Sequence, residues 1–116
     1  MRTYFALLIG ALLTTTALAD AIKPGATMQV KPNTVWFDEA AQLARWHHLQ
    51  ASHDAKALAA YQDKMLGQRD AWQFVYQLRV KVLGYDASKH EAHVRMLTEG
   101  RFVGLDFYID ADALTP

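Results

Sequence analysis

Histidines, hydroxyls and carboxylates are the side chains of this protein that could support chemistry, and the histidines are the most concentrated. Three of the five histidines, His47, His48 and His53, fall within the stretch ARWHHLQASHDAK. Helical metal sites favour two imidazoles four residues apart, on one face, whereas these are separated by one, five and six residues. At about 100° per residue, no pair of them converges. We therefore predict surface or half-buried imidazoles and no metal site.

The remaining histidines, His90 and His93, are three residues apart in a segment with strand character. Side chains at that spacing on a strand point to opposite faces of the sheet, so this pair forms no local site either. Tertiary folding could still gather His47, His48, His53 or His93 into a metal-binding or hydrolytic site, and that alternative stays open.

Nucleophilic catalysis requires Ser, Thr, Cys or Lys beside a base in a shaped pocket. Beyond the N-terminal segment the only serines are Ser52 and Ser88, and neither has the flanking glycines of a nucleophile elbow. Asp110 and Asp112 form a carboxylate pair, but they lie in a turn, where aspartate is favoured for backbone reasons. The sequence therefore predicts a protein that is not an enzyme and that has no metal or cofactor.

The N-terminal segment has the features of an export signal. Arg2 precedes an apolar run over residues 4–13, and small residues follow. This order is typical of a signal peptide, and the run is shorter than the roughly 20 residues that a membrane span needs. We predict cleavage after Ala19, or alternatively after Ala21, and a periplasmic or secreted protein with no stable membrane insertion.

Composition restricts the partners of the remaining domain, residues 20–116. The chain has 12 basic and 12 acidic residues, whereas a nucleic-acid binder usually shows a basic excess. It has no cysteine, so no disulfide can form and the domain must be stable by packing alone. These properties predict a single disulfide-free domain that does not bind nucleic acid.

Hydrophobic periodicity divides residues 20–116 into a strand, a helix pair and a group of strands. A short alternating run predicts a strand over residues 27–31, and spacings of three and four predict two helices within about 38–66. Strict alternation predicts the rest of the sheet within residues 74–110. The predicted class is α+β, with the helix pair inserted between the first strand and a three-stranded antiparallel meander.

Aromatic side chains are numerous, and most are expected in the core because a small domain needs large side chains to bury enough area. Tyr108 falls on the strand face opposite Phe107, and Tyr85 lies near a loop. Together with Arg101 they are predicted to line an exposed aromatic groove. Tyr85, Arg101 and Tyr108 are therefore the candidate binding residues.

The stretch EGRFVGLDFYIDADAL resembles the end of a bacterial SH3-like (SH3b-type) domain, in which a hairpin is followed by a final strand and a short helical turn. The matching positions are Gly100, Gly104, Phe107, Tyr108, Ile109 and Leu114. The chain departs from the family where Phe107 or Tyr108 replaces the usual tryptophan of the final strand. It also departs in the helix pair, which replaces a loop. The resemblance implies a partly open SH3-like barrel.

The resemblance, the neutral charge and the lack of a catalytic set together imply an exported, non-enzymatic binding or interaction protein of the bacterial cell envelope. Its partner would be a protein, a peptide or a peptidoglycan-derived fragment. The alternative is a small secreted metal-binding protein or hydrolase that uses the histidines. A third hypothesis is an inhibitor or immunity protein that caps the active site of another exported protein.

Overall fold

The structure, a computed structural model, describes residues 21–116. Its fully described helices and strands, in chain order, are β1 (Thr27–Val30), β2 (Val35–Phe37), α1 (Ala40–Ala51), α2 (Ala55–Gly67), β3 (Ala71–Gln73), β4 (Leu78–Asp86), β5 (Glu91–Met96), β6 (Asp106–Asp110) and β7 (Leu114–Thr115). Short 3-10 helices link β4 to β5 and β6 to β7. The predicted α+β class is confirmed.

The helix pair lies one strand later in the chain than predicted. It is inserted between β2 and β3, and these strands pair with each other so that Trp36 lies opposite Trp72. The prediction missed both strands because each is only three residues long. In addition, β2 is buried on both faces, so its sequence VWF shows no alternation.

The strands of the described chain form one antiparallel sheet with the order β3-β2-β6-β5-β4-β1-β7. The predicted meander is present as β4, β5 and β6, each paired antiparallel with the next. The outer strands β3 and β7 are not paired with each other, so the sheet is not closed.

The inner face of the sheet forms the larger of two cores. Val80 and Val82 on β4 and Val94 and Met96 on β5 are buried there, alternating with exposed or half-buried residues. This is the pattern expected of an antiparallel sheet with one buried face. No residue of α1 or α2 belongs to this core, so the sheet must curl for its inner side chains to bury one another.

The outer face carries a second core, beneath the helices. Val35 and Phe37 of β2 pack there against Leu43 of α1 and Met65 of α2, with Ala71 of β3 beside them. Successive side chains of a strand point to opposite faces. The short strand β2 therefore contributes to both cores, with Trp36 on the inner side.

The helix boundaries follow local hydrogen bonds. At the start of α1 the Glu39 amide donates to Gln42 Oε1 at 3.0 Å, and at the start of α2 the Ala57 amide donates to Asp54 Oδ1 at 3.0 Å. His53 lies between the helices with a left-handed φ of 57°. Its side chain is exposed, so it belongs to the turn and to neither core.

The predicted signal peptide, residues 1–19, lies outside the described residues. Just beyond it, Ile22 is buried in the larger core. Within residues 21–116, no helix is both long enough and apolar enough to cross a membrane.

We expect Leu43→Ala to lower the free energy of unfolding by about 2–5 kcal/mol, because it leaves a cavity at a buried leucine between the helices and the sheet. Denaturant titration measures the change. The matched control is Leu58→Ala, at a half-buried leucine of α2, for which a clearly smaller loss is expected. Equal losses in the two variants would show that the second core does not hold the helix pair.

Candidate functional site

A cleft of about 660 Å³ opens between the C-terminal half of α1 and the end of the sheet where β4 turns into β5. Its polar lining includes His47, His48, Ser88, His90, Asp110 and Asp112. Folding therefore gathers three histidines, the aspartate pair and a serine, although these residues come from three separate parts of the chain. We call this the histidine cleft.

His47 is the most enclosed of the histidines in the cleft, with a side chain that is 23% exposed. Its Nε2 atom is buried and has no hydrogen-bond partner, and the nearest carboxylate oxygen, Asp110 Oδ2, is 3.7 Å away. That separation is too long for a hydrogen bond. Asp110 is itself held by a backbone contact, because its Oδ1 accepts from the Asp112 amide at 3.0 Å. The pair is therefore not an assembled acid–base dyad.

His90 and Ser88 lie on the opposite wall of the histidine cleft, in and after the short helix that follows β4. His90 has a left-handed φ of 49°, and its Nδ1 lies 3.7 Å from Asp112 Oδ1, with both side chains largely exposed. The Ser88 hydroxyl donates to Asp86 Oδ1 at 2.7 Å. This bond is the main reason that the pKa of Asp86 lies below its usual value. The Ser88 hydroxyl thus stabilises the turn, and it donates to a carboxylate and not to one of the imidazoles of the cleft.

The exposure predicted for the histidines agrees with the structure, since His48, His53 and His90 are exposed and His47 and His93 are half-buried. Their gathering was not predicted. The register of β5 with β6 places Glu91 opposite Asp110, which brings the turn after β4 close to the end of β6. Across residues 21–116, no group of three or more His, Asp or Glu side chains is placed to hold a metal ion.

Two of the predicted binding residues lie on opposite faces of the sheet. Tyr85 is opposite Ala92 and packs against the larger core on the inner face. Tyr108 is opposite His93 on the outer face, where the two rings stack at a centroid distance of 4.3 Å and an interplanar angle of 3°. The structure therefore does not bring Tyr85 and Tyr108 into one groove.

The third predicted binding residue, Arg101, lies in the loop between β5 and β6. Its guanidinium is 5.5 Å from the centroid of the Phe102 ring, a cation–π geometry. The Phe102 ring in turn contacts Trp72 and Phe74, at centroid distances of 4.8 and 5.1 Å. Arg101 thus borders an aromatic group, but one without either predicted tyrosine. A binding role for Tyr85, Arg101 or Tyr108 stays a prediction.

Exposed apolar side chains are concentrated near Arg101. The large hydrophobic residues that are exposed in the described chain are Val75, Tyr76, Val103 and Leu105, and all four lie in the β3–β4 or β5–β6 loop. Both loops border a cleft of about 290 Å³ that Phe74, Phe102 and Arg101 line. We call these four residues, with Arg101 and this cleft, the loop-end surface.

Comparison with protein-family models, with characterised proteins and with solved structures finds no match to this chain. The α+β class and the open antiparallel sheet are therefore established from the structure alone. The SH3-like resemblance stays an expectation drawn from the sequence.

We expect His47→Leu to leave the melting temperature unchanged or slightly raised, because it removes a buried nitrogen that has no hydrogen-bond partner. Thermal denaturation at neutral pH measures this, with His48→Leu at the exposed neighbouring position as the control. A drop of roughly 4–8 °C in His47→Leu alone, equivalent to about 1 kcal/mol, would mean that the imidazole makes a polar contact on which the fold depends.

Proposed function

We propose that the protein is an exported, non-enzymatic binding module of the bacterial cell envelope and that it engages a protein or peptide through the loop-end surface. The observation that supports this most strongly is the location of all four exposed large hydrophobic side chains of the described chain in two loops that border one cleft. Single exposed apolar residues are ordinary in soluble proteins, whereas their concentration in one place marks interaction sites.

The loop-end surface has the composition of an interface centre. Tyrosine, tryptophan and arginine dominate the binding energy of protein interfaces, particularly where they surround a pocket that a partner side chain can fill. Here Tyr76 is 74% exposed, and Arg101 lies against the aromatic lining of the cleft. The half-buried rings of Trp72 and Phe102 hold that lining in place through edge-to-face packing.

The outcome that tests this proposal is loss of partner binding in the double variant Tyr76→Asp, Val103→Asp. Residues 20–116 are immobilised, incubated with bacterial envelope extract, and the retained proteins are identified and titrated individually. We expect the variant to bind the partner at least roughly tenfold more weakly, because each new carboxylate would lose its hydration in the interface.

The matched control is Ala41→Asp, Ala59→Asp, which adds the same two charges at exposed positions of the helices. Both double variants must keep the melting temperature of the original chain. If the loop variant retains the same partner as strongly as the control does, the loop-end surface is not the binding site and the proposal fails.

The histidine cleft supports a second candidate function, a small metal-binding protein or hydrolase. The observation in its favour is the presence of three imidazoles and two aspartates around one space of about 660 Å³. A hydrolase would need a nucleophile or a water molecule held against a base. The only serine of the cleft, Ser88, donates instead to Asp86 within its own turn, which counts against the hydrolase.

Metal addition separates the two candidates. A ligand that binds only the folded state raises the melting temperature. We expect equimolar Zn²⁺ or Ni²⁺ to leave it unchanged, because no group of three or more His, Asp or Glu side chains in residues 21–116 is placed to hold a metal ion. Differential scanning fluorimetry with and without chelator measures this. A rise of several degrees that His47→Leu and His90→Ala both abolish would favour the metal-binding candidate.

A further inference from the structure

The cleft of the loop-end surface has an apolar floor, and we call it the loop-end cleft. The β3–β4 loop, β4, β5 and the β5–β6 loop each contribute one large apolar side chain to it, namely Phe74, Leu78, Met96 and Phe102. Its volume of about 290 Å³ lies at the lower end of the size range of ligand pockets. The loop-end cleft therefore suits a single apolar group, such as a phenyl ring or a branched alkyl group.

Two opposite charges lie at the rim of the loop-end cleft. Glu99 and Arg101 both line it, two residues apart in the β5–β6 loop, and its other lining residues are uncharged. Both side chains are exposed. Within residues 21–116, neither forms an ion pair with the other or with a third residue. The cleft thus combines an apolar floor with one carboxylate and one guanidinium that are both available to a ligand.

The loop that carries these charges is ordered by backbone hydrogen bonds. The Met96 amide donates to the Leu105 carbonyl at 2.9 Å, and the Gly104 amide donates to the Met96 carbonyl at 2.9 Å. The Arg101 guanidinium lies 5.5 Å from the centroid of the Phe102 ring, a contact that keeps it at the rim. Because the loop is ordered before binding, a ligand that contacts both charges pays a smaller entropy cost.

We infer that the loop-end cleft binds a free α-amino acid with a large apolar side chain. Arg101 binds the α-carboxylate, Glu99 accepts hydrogen bonds from the α-ammonium group, and the apolar side chain packs on the floor. A free amino acid carries both charges on the carbon that bears its side chain. A residue inside a protein or peptide has neither charge there, and a chain terminus has only one.

This inference rests on the proposed function, because it names a second ligand for the loop-end surface. The apolar side chain of the amino acid would occupy the space that a side chain of the protein partner fills. The two ligands are therefore expected to compete for the loop-end cleft.

Four probes with the same phenyl ring test the inference. L-phenylalanine carries both charges, 3-phenylpropanoate only the carboxylate, 2-phenylethylamine only the ammonium group, and N-acetyl-L-phenylalaninamide neither. Amide chemical shifts of residues 20–116 measure affinity during titration and locate the site. We expect a Kd on the order of 1 mM for L-phenylalanine, because the ligand is small. Each other probe is expected to bind at least about fivefold more weakly, with shifts concentrated at residues 96–102.

Two variants remove the two charges separately. We expect Arg101→Gln to weaken L-phenylalanine binding about fivefold without weakening 2-phenylethylamine binding, because the amine has no carboxylate to lose a contact. We expect Glu99→Gln to weaken L-phenylalanine binding similarly without weakening 3-phenylpropanoate binding. A purely structural defect would weaken all four probes alike. The matched controls, Arg45→Gln and Asp63→Asn, remove one charge of each sign at exposed helix positions and are expected to bind normally.

Three results would overturn the inference. The first is a probe lacking one or both charges that binds as tightly as L-phenylalanine; for the uncharged probe, this would assign the cleft to a side chain within a peptide. The second is an equal loss of L-phenylalanine binding in the charge variants and in their controls. The third is a set of shifts at residues 96–102 that follow protein concentration and not added L-phenylalanine, which would assign the cleft to a second copy of the chain.

Failure of this inference is distinguishable from failure of the proposed function. The variant Tyr76→Asp, Val103→Asp tests the protein partner and leaves Glu99 and Arg101 in place. If L-phenylalanine causes no shifts while that variant still loses its partner, the amino-acid site is wrong and the protein-binding surface stands. If that variant keeps its partner while L-phenylalanine binds as expected, the protein-binding proposal alone fails.

Discussion

Within residues 21–116 no helix covers the inner face of the sheet, and this constraint shapes the rest of the described structure. An apolar sheet face must be buried against another layer or against itself. Trp36 lies at the centre of the larger core. It is 1% exposed and makes edge-to-face contacts with Phe74 and Phe107, at centroid distances of 5.6 and 5.5 Å. The strands curl around this aromatic group, and the helices pack mainly on β2, β3 and β6 on the outer side.

Strand direction then decides which surfaces can form. The β3–β4 and β5–β6 loops meet at one end of the meander, because β4 begins where β5 ends. The turn after β4 and the last residue of β6 meet at the other end, because Glu91 lies opposite Asp110. Apolar side chains are exposed at the first end and titratable ones at the second, so the two candidate sites cannot share residues.

Sequence patterns predicted those elements in which the alternation of apolar and polar residues matches the alternation of buried and exposed side chains. Strands β4, β5 and β6 show alternation because each has one buried face, and the helix pair shows its apolar stripe. Strands β2 and β3 were not predicted because they are short and because β2 contributes side chains to both cores. The histidine cleft was not predicted for a different reason: His47 and His90 line one cleft because α1 packs against the end of the sheet, and no local spacing encodes that arrangement.

A single irregularity explains why Tyr85 lies on the unexpected face. The register that pairs Val82 with Val94 shifts before Gly84, which pairs with His93. A β-bulge inserts one residue and reverses the side-chain alternation that follows it. Tyr85 consequently turns inward, opposite Ala92.

The same inserted residue determines what lies beside His93. If the register of Val82 with Val94 continued unbroken, Leu83 would stand opposite His93 and Gly84 opposite Ala92. The bulge replaces that leucine with Gly84 and keeps Lys81 and Arg95 in their unshifted pairing. One extra residue thus places a glycine opposite the half-buried His93, an arrangement that strand alternation alone would not predict.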